Sequence, residues 1–77
     1  MDIKDVRLTV EKHLKDLGIE RPARIASAKF NQSYWDAVVI YSRDIEVGDK
    51  KQKTGMIAAL VINDTTRKVE TFKENPT

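Results

Sequence analysis

Two stretches of this chain, "YWDAVVIYSRDIEV" (Tyr34 to Val47) and "TGMIAALVI" (Thr54 to Ile62), read as β-strands that are apolar on both sides at their centres. In the first, Trp35, Ala37, Val39 and Tyr41 point one way, and Val38 and Ile40 the other. In the second, Met56, Ala58, Leu60 and Ile62 oppose Ile57, Ala59 and Val61. A sheet wetted on one side would alternate apolar with polar residues. These strands instead ask for cover on both faces, in a chain of only 77 residues.

Only one other segment offers such cover. Residues 2–17 carry Ile3, Val6, Val10, Leu14 and Leu17 at spacings of three and four, which places them along one face of an amphipathic helix. Asp2 stands where an N-cap accepts hydrogen bonds from the first turn, and Asp5 adds favourable charge there. Gly18 ends the helix cheaply in the left-handed conformation, and Ile19 can then fold back toward Leu14. Lys12 and Lys15 suit the C-terminal end of the dipole. "IERPARI" is a connection, because Pro22 blocks helical continuation.

After Pro22 the apolar period becomes two. "RIASAKF" (Arg24 to Phe30) reads as a strand, "NQS" as a short turn, "GDKKQK" (Gly48 to Lys53) as a polar hairpin loop, and "KVETF" (Lys68 to Phe72) as a last strand. Residues 73–77 read as a frayed tail. The expected fold class is α+β: one domain over residues 1–77, an N-terminal helix packed on an antiparallel meander of three or four strands spanning about residues 24–72.

A helix of about 16 residues is roughly 24 Å long and 10 Å wide, enough for one face of a small sheet. The uncovered side then forfeits about 1.5–3 kcal/mol for each large aliphatic residue left in water. An apolar patch of that kind marks an interaction surface. The expected interface is Val38, Ile40, Ile57, Ala59 and Val61, meeting another protein and most simply a second copy of the chain. The reverse assignment uses Trp35, Val39, Met56 and Leu60; their larger side chains favour burial under the helix.

Composition narrows the function. There is no cysteine and one histidine, so neither disulfides nor a metal staple is available to a domain this small. No charged-then-apolar leader and no run approaching about 20 apolar residues is present, which gives the expectation of a cytoplasmic protein that does not enter the membrane. The "NQS" and "NDT" sequons are accordingly read as chance matches. Fourteen basic and twelve acidic residues leave a net charge of +2, too small an excess to identify a nucleic-acid binder.

No residue set points to catalysis. His13 has no second ligand with which to share a metal, so it reads as a surface or boundary histidine. Ser27, Ser33 and Ser42 lack nucleophile-elbow glycines, and Gly18, Gly48 and Gly55 are too scattered to cradle a phosphate. Asp44, Glu46 and Asp49 lack the spacing of a calcium loop and run into Lys50, Lys51 and Lys53. In "NDTTR", Asn63, Asp64 and Thr65 bond readily to nearby backbone, and the segment reads as a turn. The expectation is a noncatalytic interaction or regulatory module with no cofactor. The alternative is a single-stranded nucleic-acid binder using Arg24, Lys29, Arg43, Lys50, Lys51 and Lys53 with Tyr34 and Trp35 as stacking surfaces.

At "VINDTTRKVETF" the chain resembles the closing hairpin of PepSY-type domains, with Ile62, Asn63, Thr66, Lys68 and Val69 matching in place. It departs from that pattern in Asn63, where an aspartate is usual, and in Arg67, where a glycine normally turns the chain. An arginine there disfavours the left-handed conformation, so a different turn type is expected. Trp35 and "VVIY" are similar in layout to the gas-vesicle accessory protein O family, although the arginine- and tyrosine-rich C-terminus of that family is absent. Both resemblances imply a noncatalytic interaction or regulatory role.

Overall fold

The computed structural model describes residues 1–19 and 22–77, so Glu20 and Arg21 of the expected connection lie outside the described residues. The elements are α1 (Ile3–Asp16), β1 (Arg24–Asn31), β2 (Tyr34–Val47), β3 (Lys50–Asn63) and β4 (Val69–Pro76). The fold is α+β: α1 packs on a four-stranded antiparallel meander in the order β1-β2-β3-β4.

α1 is fixed at both ends by its own sequence. The Asp2 carboxylate accepts from the Asp5 amide and the Asp5 carboxylate from the Asp2 amide, each at 3.0 Å, a reciprocal capping box. At the other end Gly18 has φ +84°, with its amide donating to Lys15 O and the Ile19 amide to Leu14 O, both at 2.9 Å. This pair of hydrogen bonds is a Schellman cap, and it drops Ile19 into the core at 6% exposure. Gly18→Ala is therefore expected to lower stability by about 1 kcal/mol, the cost of a left-handed non-glycine residue, measurable as a lower urea midpoint with an unchanged m-value.

The buried stripe of α1 is shorter than its sequence period. Val6, Val10 and Leu14 are buried, but Ile3 and Leu17 are 54% and 45% exposed. Both lie at the helix ends, and the turn at Gly18 brings Ile19, not Leu17, onto the sheet.

Cross-strand register places Trp35, Ala37, Val39 and Tyr41 of β2 opposite Ile62, Leu60, Ala58 and Met56 of β3. All are buried except half-buried Trp35, so the tryptophan face lies under α1. Ala37 and Ala58 alternate with larger residues there, leaving room for the helix to approach.

Two expectations need correction. The polar loop is only Gly48–Asp49, because Lys50 to Lys53 belong to β3. Asp44 faces Lys53 and Glu46 faces Lys51, so the charges that read as a loop are cross-strand pairs of opposite sign. The tail is not frayed either: β4 pairs with β3 as far as Pro76 opposite Met56, and the Thr77 amide donates to Gly55 O at 2.9 Å.

Beyond the ends of β1 and β4, β2 and β3 continue as a two-stranded arm that reaches the Gly48–Asp49 turn. The molecule is accordingly elongated, 45 Å in its longest dimension. Its radius of gyration of 13.0 Å exceeds the roughly 11.5 Å of a compact chain of this length.

Candidate interaction face

The face of the sheet turned away from α1 follows from the same register. Ile40 lies opposite Ile57, Val38 opposite Ala59, and Val61 opposite Asp36, which makes one contiguous group across the two central strands. Ile57 and Ala59 are exposed, and Val38, Ile40 and Val61 are half-buried. Among the described residues no helix covers them. Around this group stand Arg24 beside Ile40, Lys29 opposite Asp36, and Lys73 opposite Ala59. The five residues expected from sequence parity thus share one surface, with an apolar centre and a rim of mixed charge.

The basic and aromatic residues considered for nucleic acid are distributed differently. Tyr34 and Trp35 are neighbours on a strand and project from opposite faces. The Trp35 indole N–H donates to Asp64 Oδ1 at 2.9 Å, and its ring lies 5.2 Å from that of Phe30, edge to face. Arg24 and Lys29 are on β1, Arg43 is held by Glu74, and Lys51 and Lys53 face acids. Lys50 stands beside the arm's turn opposite Val47. By register Arg24, Lys29, Tyr34, Lys51 and Lys53 lie on the open face and Trp35, Arg43 and Lys50 on the helix side, so no single surface joins the eight.

Two polar clusters escaped sequence reasoning. On the helix side, Glu74 of β4 accepts a hydrogen bond from the Tyr41 hydroxyl and a forked pair from Arg43 Nη1 at 2.7 and 3.0 Å. These contacts tie β4 to β2 across β3 at the base of the arm. Burial, then the hydrogen bond to Glu74, pushes the Tyr41 hydroxyl well above the ordinary phenol range. At the other end, Asp64 accepts from Trp35 and lies 3.3 Å from the Met1 ammonium. The Trp35 bond, more than the ammonium, holds its carboxyl below the usual range. Both clusters join residues about thirty or more positions apart, and no local pattern signals such a pair.

The "NDTTR" segment is a turn held by its own side chains. Asn63 Oδ1 accepts from the Thr65 and Thr66 amides at 2.9 and 3.0 Å. The Arg67 amide donates to Asn63 O at 2.7 Å. Arg67 has φ +60°, so it takes the left-handed conformation that a glycine would favour. His13 lies beside Phe72, ring centroids 5.0 Å apart.

Among the described residues no group of three or more histidines and carboxylates is placed to hold a metal ion, and no helix is long and apolar enough to cross a membrane. No protein-family model, curated protein or solved structure matches the chain.

Proposed function

We propose that this domain is a noncatalytic protein-interaction module that self-associates through the open face of its sheet. The observation that carries this reading is the uncovered group of Val38, Ile40, Ile57, Ala59 and Val61 at the centre of that face.

Surface area supports it. The chain exposes 5618 Å², about 800 Å² more than a compact monomer of its mass, for which roughly 4,800 Å² is typical. At 3.3 Å per residue and 4.8 Å per strand, the four strands present a footprint of about 700 Å². Each partner in a stable interface buries roughly 800 Å², so the open face with its arm is of the right size. Face-to-face packing about a twofold axis brings the apolar centres together. The rim holds both signs, Lys29 with Asp36 and Lys53 with Asp44, and so can pair with a copy of itself.

Light scattering at micromolar concentration tests the proposal. A mass of twice 8.8 kDa is expected, returning to 8.8 kDa in Ile57→Lys, which sets a charge at the patch centre without touching the helix-side core. A native chain that stays at 8.8 kDa at every concentration overturns the reading.

A further inference from the structure

The helix side of the molecule holds a second feature, independent of the open face. Thr9, Lys12, His13 and Asp16 of α1 and Arg67 and Lys68 of the β3–β4 turn line a shallow cleft of about 310 Å³. Lys12, Arg67 and Lys68 make no ion pair among the described residues, while the Arg67 charge helps hold the nearby Asp64 carboxyl below its usual range. With Asp16 as the one carboxylate, Lys12, Arg67 and Lys68 give the lining a formal +2, equal to the net charge of the whole chain. Gathering like charges around one recess raises the energy of the empty cleft, and a multivalent anion relieves it.

The cleft is also built. The turn that delivers Arg67 and Lys68 is fixed by the two amide bonds to Asn63 Oδ1 and by the Asn63 amide donating to Lys68 O at 2.9 Å. The Asp64 amide donates to Ser33 O at 3.0 Å, which holds the turn against the β1–β2 hairpin. Arg67 sits where glycine would be less strained, so the guanidinium stands there at a conformational cost. On the opposite wall, the His13 ring is set by its contact with Phe72.

We propose that this cleft binds a phosphate dianion, free or as the terminal group of a small ester, between Arg67 and Lys68 of the turn and Lys12 and the Thr9 hydroxyl of the helix. Phosphate matches the +2 lining in charge and offers acceptors to a guanidinium, an ammonium and a hydroxyl together. The volume lies at the small end of ligand pockets. A dimer joined through the open face leaves the cleft accessible.

The test is an amide NMR titration of the full chain with inorganic phosphate, phenyl phosphate and, as control, acetate at matched ionic strength. Saturable shifts are expected at Thr9 to Asp16 and Thr66 to Lys68, with phosphate and not with acetate. Tighter binding of phenyl phosphate assigns an ester ligand, and tighter binding of inorganic phosphate the free ion. Arg67→Gly is expected to weaken binding roughly tenfold, the loss of one charge-assisted contact, while the melting temperature stays unchanged or rises. Lys68→Gln removes a charge without altering the backbone and is expected to do the same. Equal shifts at Lys4, Arg7, Lys29 and the arm lysines, an equal response to acetate, or undiminished affinity in both variants overturns the proposal.

Discussion

Leu60→Ala is expected to cause the largest loss of stability of any single truncation on the helix side of the sheet. Leu60 is 1% exposed in the middle of a central strand, opposite Ala37 on β2 and Phe72 on β4, under the buried stripe of α1. Truncating a buried leucine removes about 2–5 kcal/mol, the upper part of that range applying where the site cannot collapse. Here collapse is hindered, because the adjacent residues on that face, Ala37 and Ala58, have no side-chain length with which to fill the space. A chain of this size has a total stability of roughly 4–11 kcal/mol, so the loss is a large share of the whole. Ile57→Ala, three residues earlier on the same strand but on the open face, supplies the comparison. At dilutions where the chain is monomeric it is expected to change stability by less than about 1 kcal/mol, since Ile57 is already 36% exposed. Urea denaturation followed by circular dichroism reads both. Equal losses would mean that the two faces are equally buried, contrary to the described packing.

That contrast rests on strand parity, which was legible in the residues themselves. The alternation through Tyr34–Tyr41 and Met56–Ile62 assigned each side chain to a face, and size alone placed Trp35, Met56 and Leu60 beneath the helix. The helix was legible too, because Asp2, Asp5 and Gly18 are local signals that a capping box and a Schellman turn need. What remained hidden was long-range or statistical. The β3 half of the arm, Lys50 to Lys53, looked like a loop because its charges suit a loop as well as they suit cross-strand pairs, and only the register of Asp44 with Lys53 distinguishes the two. The closing strand looked frayed because "KENPT" has little β propensity; Glu74 supplies its reason for order, and its partners lie more than thirty residues earlier. Arg67 reversed the expectation for the last turn, since the surrounding hydrogen bonds hold it left-handed despite its side chain.

Glu74 is where the second large effect is expected. Its carboxylate is the acceptor shared by the Tyr41 hydroxyl and the Arg43 guanidinium, and Tyr41 is only 4% exposed. In Glu74→Ala the arginine turns to water, as its 34% side-chain exposure allows, but the phenol loses its partner inside the core. Hydrogen bonds to a charged group contribute about 1.5–3 kcal/mol, so a loss near 2–3 kcal/mol is expected, or roughly 10–20 °C in melting temperature for a domain of this size. The loss has a location as well as a size. The pairing of β4 from Phe72 onward depends on that anchor, so hydrogen exchange at Lys73 to Thr77 is expected to accelerate more than exchange at Leu60 or Val39. A pH titration separates the phenol from the ion pair. Because the folded state raises the Tyr41 pKa above its unfolded value near 10, the unfolded chain releases this proton first as pH rises. The Tyr41 contribution is therefore fully present below about pH 10 and is lost progressively above it. Tyr41→Phe is expected to flatten the alkaline limb of the stability curve while keeping Glu74 paired with Arg43. An alkaline limb identical in the native chain and in Tyr41→Phe would show that the buried phenol does not couple to folding, and the anchoring role of Glu74 would then rest on Arg43 alone.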